Sequence, residues 1–203
     1  MTPSKPAVAF TLADAHRAFD AWGANCGPGA LAAVLGLSLD AVRLHLDGFD
    51  RKHYTNPAMM RGALRSLSVD HSWRVQVATV GWFPIFGLAR VQWEGPWTKP
   101  GVPPAAAYRH THWVGARAAG DGPVDVEIFD INCMCVGGWV SLREWSGQVV
   151  PWLLRQCEPK ADGKWHVTHA VEIRRAPTSP APAAASDPHV AQSGNSSTRE
   201  PTS

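Results

Sequence analysis

Apolar positions in the first third of the chain recur at helical spacing, whereas those in the middle alternate with polar ones. Residues 12–22 (Leu-Ala-Asp-Ala-His-Arg-Ala-Phe-Asp-Ala-Trp) read as a short helix. Residues 29–35 have no polar face, so the helix they form is expected to be buried on all sides, in the middle of the fold. Pro28 fits its first turn, where a missing N–H removes no intrahelical bond. Ser38 can cap a further helix with Asp40 in its first turn, Leu39, Val42 and Leu46 as its buried stripe and Gly48 at its end. Asn56-Pro57 marks another start, followed by Met60, Leu64 and Leu67 at i, i+4, i+7.

Beyond these helices the period changes to two. Trp73, Val75 and Val77 alternate with Arg74, Gln76 and Ala78, and Ala89, Val91 and Trp93 with Arg90 and Gln92, which predicts two strands. Residues 94–107, rich in Gly and Pro, form a loop. His110–Ala118 and Val124–Asp130 flank Gly120-Asp121-Gly122 and predict a β-hairpin. Ser141-Leu142-Arg143-Glu144 has the form of a capping box, so one helical turn is expected over 142–146. Two more strands are expected at about 148–155 and 165–174, joined by the polar loop Glu158–Lys164. From Ala176 the composition is Pro, Ala, Ser and Thr, too poor in large apolar residues to offset ordering entropy, and predicts a disordered tail over 176–203. The expected organisation is a flexible N-terminus over 1–11, one domain over 12–175 and that tail. Helices first and antiparallel strands after them indicate an α+β fold with the N-terminal helices packed on the sheet.

Composition narrows the partners. The 203 residues suit a single core of ordinary size. A formal charge of +2 with no Lys/Arg run gives no reason to expect nucleic acid as a partner. No apolar run approaches the ~20 residues that span a bilayer, and Met1-Thr2-Pro3-Ser4-Lys5-Pro6 lacks the apolar core of a secretion signal. The expectation is a cytoplasmic protein without a membrane partner, with Cys26, Cys133, Cys135 and Cys157 as free thiols. Cys133, Cys135 and Cys157 with His166 or His169 match no common zinc spacing, and His166 and His169 fall on opposite faces of a strand. No metal or cofactor is expected. Ten tryptophans is a high count for this length, and most lie in apparent strands. Among them Trp82, Trp93 and Trp97 read as core and rim packing, with Trp93, Trp97 and Trp113 as candidates for a substrate-groove wall.

Cys26 is the residue whose surroundings suggest chemistry. It sits where the small-residue loop Gly23-Ala24-Asn25 becomes the apolar helix, and free N–H groups and the helix dipole favour a thiolate there. The same residues also suit a plain buried cysteine beside a glycine turn. If the hairpin turn centres on residue 121, paired residue numbers sum to about 242, which sets Asp130 across from His112. A carboxylate so placed fixes the imidazole tautomer while the other ring nitrogen faces a thiol. The same register pairs His110 with Asn132, and pattern alone does not choose between the two pairs.

Asn25-Cys26-Gly27-Pro28-Gly29-Ala30-Leu31, His112-Trp113-Val114-Gly115 and Asp130-Ile131-Asn132, taken together, resemble the C39-like branch of papain-fold cysteine peptidases. Gly137-Gly138-Trp139-Val140-Ser141-Leu142-Arg143-Glu144-Trp145 is similar to the glycine loop and short aromatic helix that follow in that family. The likeness runs from about residue 12 to 174. It implies a papain-like fold, Cys26 as nucleophile, His112 as general base and Asp130 as the orienting residue. The implied reaction is hydrolysis of a peptide or isopeptide bond in a peptide or protein substrate through a thioester. Acyl transfer and deamidation share that intermediate, and a non-catalytic binding module could keep the fold. One position departs from the family: Asp20 holds the place of a glutamine that donates to the oxyanion. An ionised carboxylate cannot donate, which leaves the Cys26 N–H, with Asn25 or the Trp22 indole as second-donor candidates.

Overall fold

A computed structural model of the chain describes residues 6–75, 83–102, 109–118, 125–158 and 160–174. Five helices come first: α1 (Leu12–Trp22), α2 (Cys26–Leu35), α3 (Leu39–Arg43), α4 (Phe49–Lys52) and α5 (Pro57–Ser66). Strands β1 (His71–Val75), β2 (Phe86–Trp93), β3 (Thr111–Ala118), β4 (Val126–Phe129) and β5 (Trp139–Ser141) follow. A helical segment then leads to β6 (Trp165–Ile173). The strands form one antiparallel sheet in the order β1-β6-β2-β3-β4-β5. The architecture is α+β.

Local chemistry accounts for the helix starts. Thr11 and Asp14 form a reciprocal capping box on α1, and Gly23, at φ 70°, ends it with its N–H on the Phe19 carbonyl. Ser38 caps α3 through the Ala41 N–H, and Asn56 caps α5 through the Met59 N–H at 2.9 Å. The expected second helix is shorter than its stripe suggests. It stops at Arg43, and Gly48, at φ 72°, opens α4 instead of closing the earlier helix.

Helix α2 is the centre of the helical layer, with Gly27 through Val34 all buried. It packs against β3, and one apolar cluster joins α1, α2, α3 and α5 to Leu88, Trp113, Phe129 and Val171 on the sheet. A second cluster covers the opposite face with Ala89, Val91, Trp93, Val114, Ile128, Trp145 and Val167. Burial on both faces explains why β2 is buried along its full length, including Arg90 and Gln92, which alternation alone had assigned to a polar face. The segment before α1 is tied down in its described part, because Pro6 and Phe10 are buried and Phe10 packs edge-on against Phe129.

The strand expected at 148–155 is a helix. The Ser141–Glu144 capping box starts α6 (Leu142–Glu144), which continues through a π turn (Trp145–Val149) into α7 (Val150–Arg155). Pro151 removes a backbone donor, a defect that an early helical position accommodates and a paired strand does not. The π turn, with the Val150 N–H on the Trp145 carbonyl, widens the ladder just before the proline. The hairpin exists, but its pairs run Gly115 with Phe129 to Ala118 with Val126, a two-residue shift that keeps the same faces together. Its turn at 120–122, Val124, the 76–78 end of the first strand, Trp82 and the tail over 176–203 lie outside the described residues.

Candidate active site

Cys26 is the first residue of α2, and its position is fixed from three sides. Asn25, before it, donates its side-chain N–H to the Ala15 carbonyl at 2.9 Å, tying the loop to α1. Gly27 lies so close to Thr55 that a Cβ would overlap the threonine side chain, and Gly29 lies equally close to Ile131. Glycine at these two places therefore lets the first turn of α2 seat between the α4–α5 connection and the segment after β4. Trp113 locks the same corner, because its indole N–H donates to the Thr55 carbonyl at 2.8 Å.

His112 precedes Trp113 on β3, so its side chain takes the other face of the sheet. There it stacks on Trp93, with centroids 6.2 Å apart, and Trp93 in turn stacks on Trp145. Nε2 of His112 bonds Oδ2 of Asp130 at 2.9 Å, and the ring acts electrostatically on the Cys26 thiol. With Nε2 on the carboxylate, Nδ1 is the nitrogen left to face sulfur.

Asp130 reaches His112 because it leaves β4 and caps the 3-10 turn Ile131–Val136. Each of its oxygens has two donors. Oδ2 accepts from His112 and from the Trp145 indole at 2.8 Å, and Oδ1 accepts from the backbone and side-chain N–H groups of Asn132 at 2.9 and 2.8 Å. The carboxylate is fully buried and fully partnered, the condition under which a buried charge is tolerated.

Burial opposes the charged form of each of the three groups, and their contacts with one another reverse it. Asp130, raised by burial, is brought down to about 2 by the His112 charge and hydrogen bond, assisted by Trp145 and Asn132. His112, lowered by burial, is held well above its ordinary value by the Asp130 charge and hydrogen bond and by the Cys26 contact. Cys26, raised by burial, is nevertheless lowered by the His112 hydrogen bond and charge and by the Trp113 backbone N–H. Both shifts run toward a thiolate beside an imidazolium. Cys133 goes the other way: burial and the nearby Asp130 charge push it up to about 12. Burial also raises Cys157, whose thiol donates to the Leu153 carbonyl.

Cys26, His112 and Asp130 are thus brought together, and the choice between histidines is made. His110 instead puts its ring edge-on to Trp97 with a buried, unpartnered Nε2, while Asn132 serves Asp130. The oxyanion candidates fare differently. Asp20 is exposed on α1, the Asn25 amide is bonded to Ala15, and the Trp22 ring packs on Phe49 and under Arg43, lining a separate cleft with Ser38 and Asp40. The groove-wall tryptophans are buried: Trp93 supports His112, Trp97 donates its indole N–H to the Trp93 carbonyl, and Trp113 belongs to the helical core. They hold the site from behind and do not line a groove.

The residue that sequence reasoning missed is Trp145, fully buried with its indole N–H on Asp130. Its place right after a capping box was visible, but its partner is distant in sequence. Among the described residues, no group of three or more His, Cys, Asp or Glu side chains is arranged to hold a metal ion, and no helix is long and apolar enough to cross a membrane. No protein-family model matches the chain, and no curated protein or solved structure matches it significantly.

Proposed function

We propose that the chain is a cysteine peptidase-like hydrolase of papain-like fold, related to the C39-like branch, that cleaves a peptide or isopeptide bond through a thioester on Cys26. The observation that carries this reading is the cluster in which the buried His112 bonds Asp130 through Nε2 and, by its charge, lowers the Cys26 thiol. The thiolate attacks the carbonyl carbon, and the C=O electrons move onto oxygen. The Cys26 N–H, in the first turn of α2 where no intrahelical acceptor exists, is available to that oxyanion. Collapse expels the amine, which takes the proton from His112, and leaves the thioester. Water, deprotonated by His112, then releases the acid and restores the thiol. Asp130 stays ionised throughout and stabilises the imidazolium.

The papain-like reading is further supported by the order of parts. A cysteine opens the central helix, a histidine followed by an aromatic lies on a strand of an antiparallel sheet, and an aspartate directly follows the next strand. Acyl transfer to an amine, or deamidation, is the enzyme alternative on the same thioester. A second reading, a binding module that keeps the fold without turnover, is favoured by the exposed Asp20 and by the Asn25 amide being engaged elsewhere.

A peptidyl acyloxymethyl ketone incubated with the full chain separates these readings. The hydrolase reading expects a covalent adduct mapped to Cys26 and lost in His112→Ala. No adduct on folded protein, while iodoacetamide modifies Cys26 after unfolding, would sink it and leave the binding module.

A further inference from the structure

Helix α1 carries apolar residues on a face the core does not use. Ala15 and Ala18 are buried, yet Phe19 is 55% exposed and Leu12 38% exposed. Leu12, His16 and Phe19 recur at i, i+4, i+7, so they line up on one side of the helix, with Asp20 beside them. That side forms one wall of a cleft of about 610 Å³ which also includes Asn25, the residue next to Cys26, and Asn132, which holds Asp130. A second cleft of about 520 Å³ continues it along the 3-10 turn, since Asn132, Cys135 and Trp152 line both. Its wall adds Glu144 and Val136, the latter 66% exposed, and Trp152 is 44% exposed.

Four of the exposed large apolar side chains of the described residues, Leu12, Phe19, Val136 and Trp152, therefore gather on or beside one groove that ends at the Cys26 loop. Exposed apolar residues scattered singly need no account, but a contiguous set along a groove marks a contact surface. The charged walls have one sign. Asp20 makes no hydrogen bond or ion pair with a described residue. Glu144 is held ionised by the Ser141 hydroxyl and N–H. Two carboxylates among apolar walls suit an occupant that is apolar and cationic.

We propose that this groove binds an extended peptide segment of the substrate in which a lysine or arginine meets Asp20 and neighbouring apolar side chains lie over Phe19 and Trp152. The proposal rests on the reading of Cys26 as the reacting thiol, and gives Asp20 a role that an ionised carboxylate can perform. The position is then a specificity determinant, where an oxyanion donor is absent.

The test uses the full chain as Cys26→Ala, so that binding is read without turnover. Fluorescein-labelled hexapeptides of Leu and Ala carrying one Lys, Arg, Glu or acetyl-lysine are titrated by anisotropy at low salt. Lys and Arg peptides should bind about fivefold more tightly than acetyl-lysine or Glu peptides, and added salt should erase the difference. Asp20→Asn should abolish the preference and Asp20→Lys should turn it toward Glu. Trp152→Ala should weaken every peptide by about tenfold without altering the preference. Equal binding of Lys and Glu peptides, a preference that survives Asp20→Asn, or no binding at all would overturn the proposal. So would concentration-dependent self-association lost in Trp152→Ala, which would assign the groove to a second copy. Failure here leaves Cys26 labelling untouched, and failure of that labelling leaves the binding result standing.

Discussion

At the scale of single residues, the site depends on one carboxylate with four donors. Replacing Asp130 by Asn keeps the shape but removes the charge that holds His112 protonated, and the amide can bond the wrong imidazole tautomer. The rate of Cys26 labelling by an acyl probe should fall on the order of 10³–10⁴-fold in Asp130→Asn. Asn132→Ala removes one bond to Oδ1 and leaves the His112 contact, so a fall below about tenfold is expected. The reverse ranking would show that Asn132 orients the histidine. Ionisation gives a second residue-scale expectation. Cys26 is lowered and His112 raised, so each shift favours the charged form of its group. In site-resolved iodoacetamide mapping across pH, Cys26 should react below the range of an ordinary thiol, while Cys133 and Cys157, both raised, should lag. His112→Ala should move the Cys26 midpoint upward. A midpoint that ignores this substitution would make Cys26 a core thiol.

At the scale of elements, α2 works because its first turn is thin. A Cβ on Gly27 would meet Thr55, whose own carbonyl is held by the Trp113 indole, so the helix start must shift or Thr55 must move. Gly27→Ala should therefore cost about 1–3 kcal/mol in denaturant unfolding, the range for overpacking a tight contact. Gly147, with open space around it, is the control, and Gly147→Ala should be near neutral. An unchanged stability in Gly27→Ala would mean that the α2 corner is looser than its spacing indicates. The same scale explains the helix at 142–155. Pro151, which cannot donate to a strand ladder, sits early in that helix. The segment instead lays Trp145 and Val150 on the second core face and brings the Trp145 indole to Asp130.

At the scale of the whole molecule, the catalytic candidates lie where the two apolar clusters meet through the sheet, and their ionisation is coupled to folding. Asp130 has a folded value of about 2 against an ordinary 3.8, so its contribution to stability is present above pH 3.8 and lost as pH falls toward 2. His112 has the opposite sign: its contribution is full below its ordinary 6.5 and is lost as pH rises through its raised folded value. Thermal melts should show an acid limb near those carboxylate values that is shallower in Asp130→Asn, and an alkaline limb reduced in His112→Ala. Parallel melting curves for the wild type and Asp130→Asn through the acid range would contradict this coupling.

Much of this was legible in the chain itself. Caps at Ser38, Asn56 and Ser141, the apolar run of α2 and the alternation of β1 and β2 are local signals, set by backbone donors and side-chain period within a few residues. The hairpin arithmetic brought Asp130 near His112 because antiparallel register is also nearly local, and a two-residue error preserves the face. What needed the tertiary structure were contacts between segments far apart in sequence. His112 was preferred to His110 because Asp130 turns into a cap beyond β4 and because Trp93, brought alongside by β2–β3 pairing, stacks on His112. Trp145 lies in the helical turn expected over 142–146, but its bond to Asp130 depends on packing between separate segments, and burial on both faces of the sheet makes the expected groove tryptophans supports. Local propensity fixes where elements begin. Their packing decides which side chains become neighbours, because that depends on the shared burial of surfaces no single segment contains.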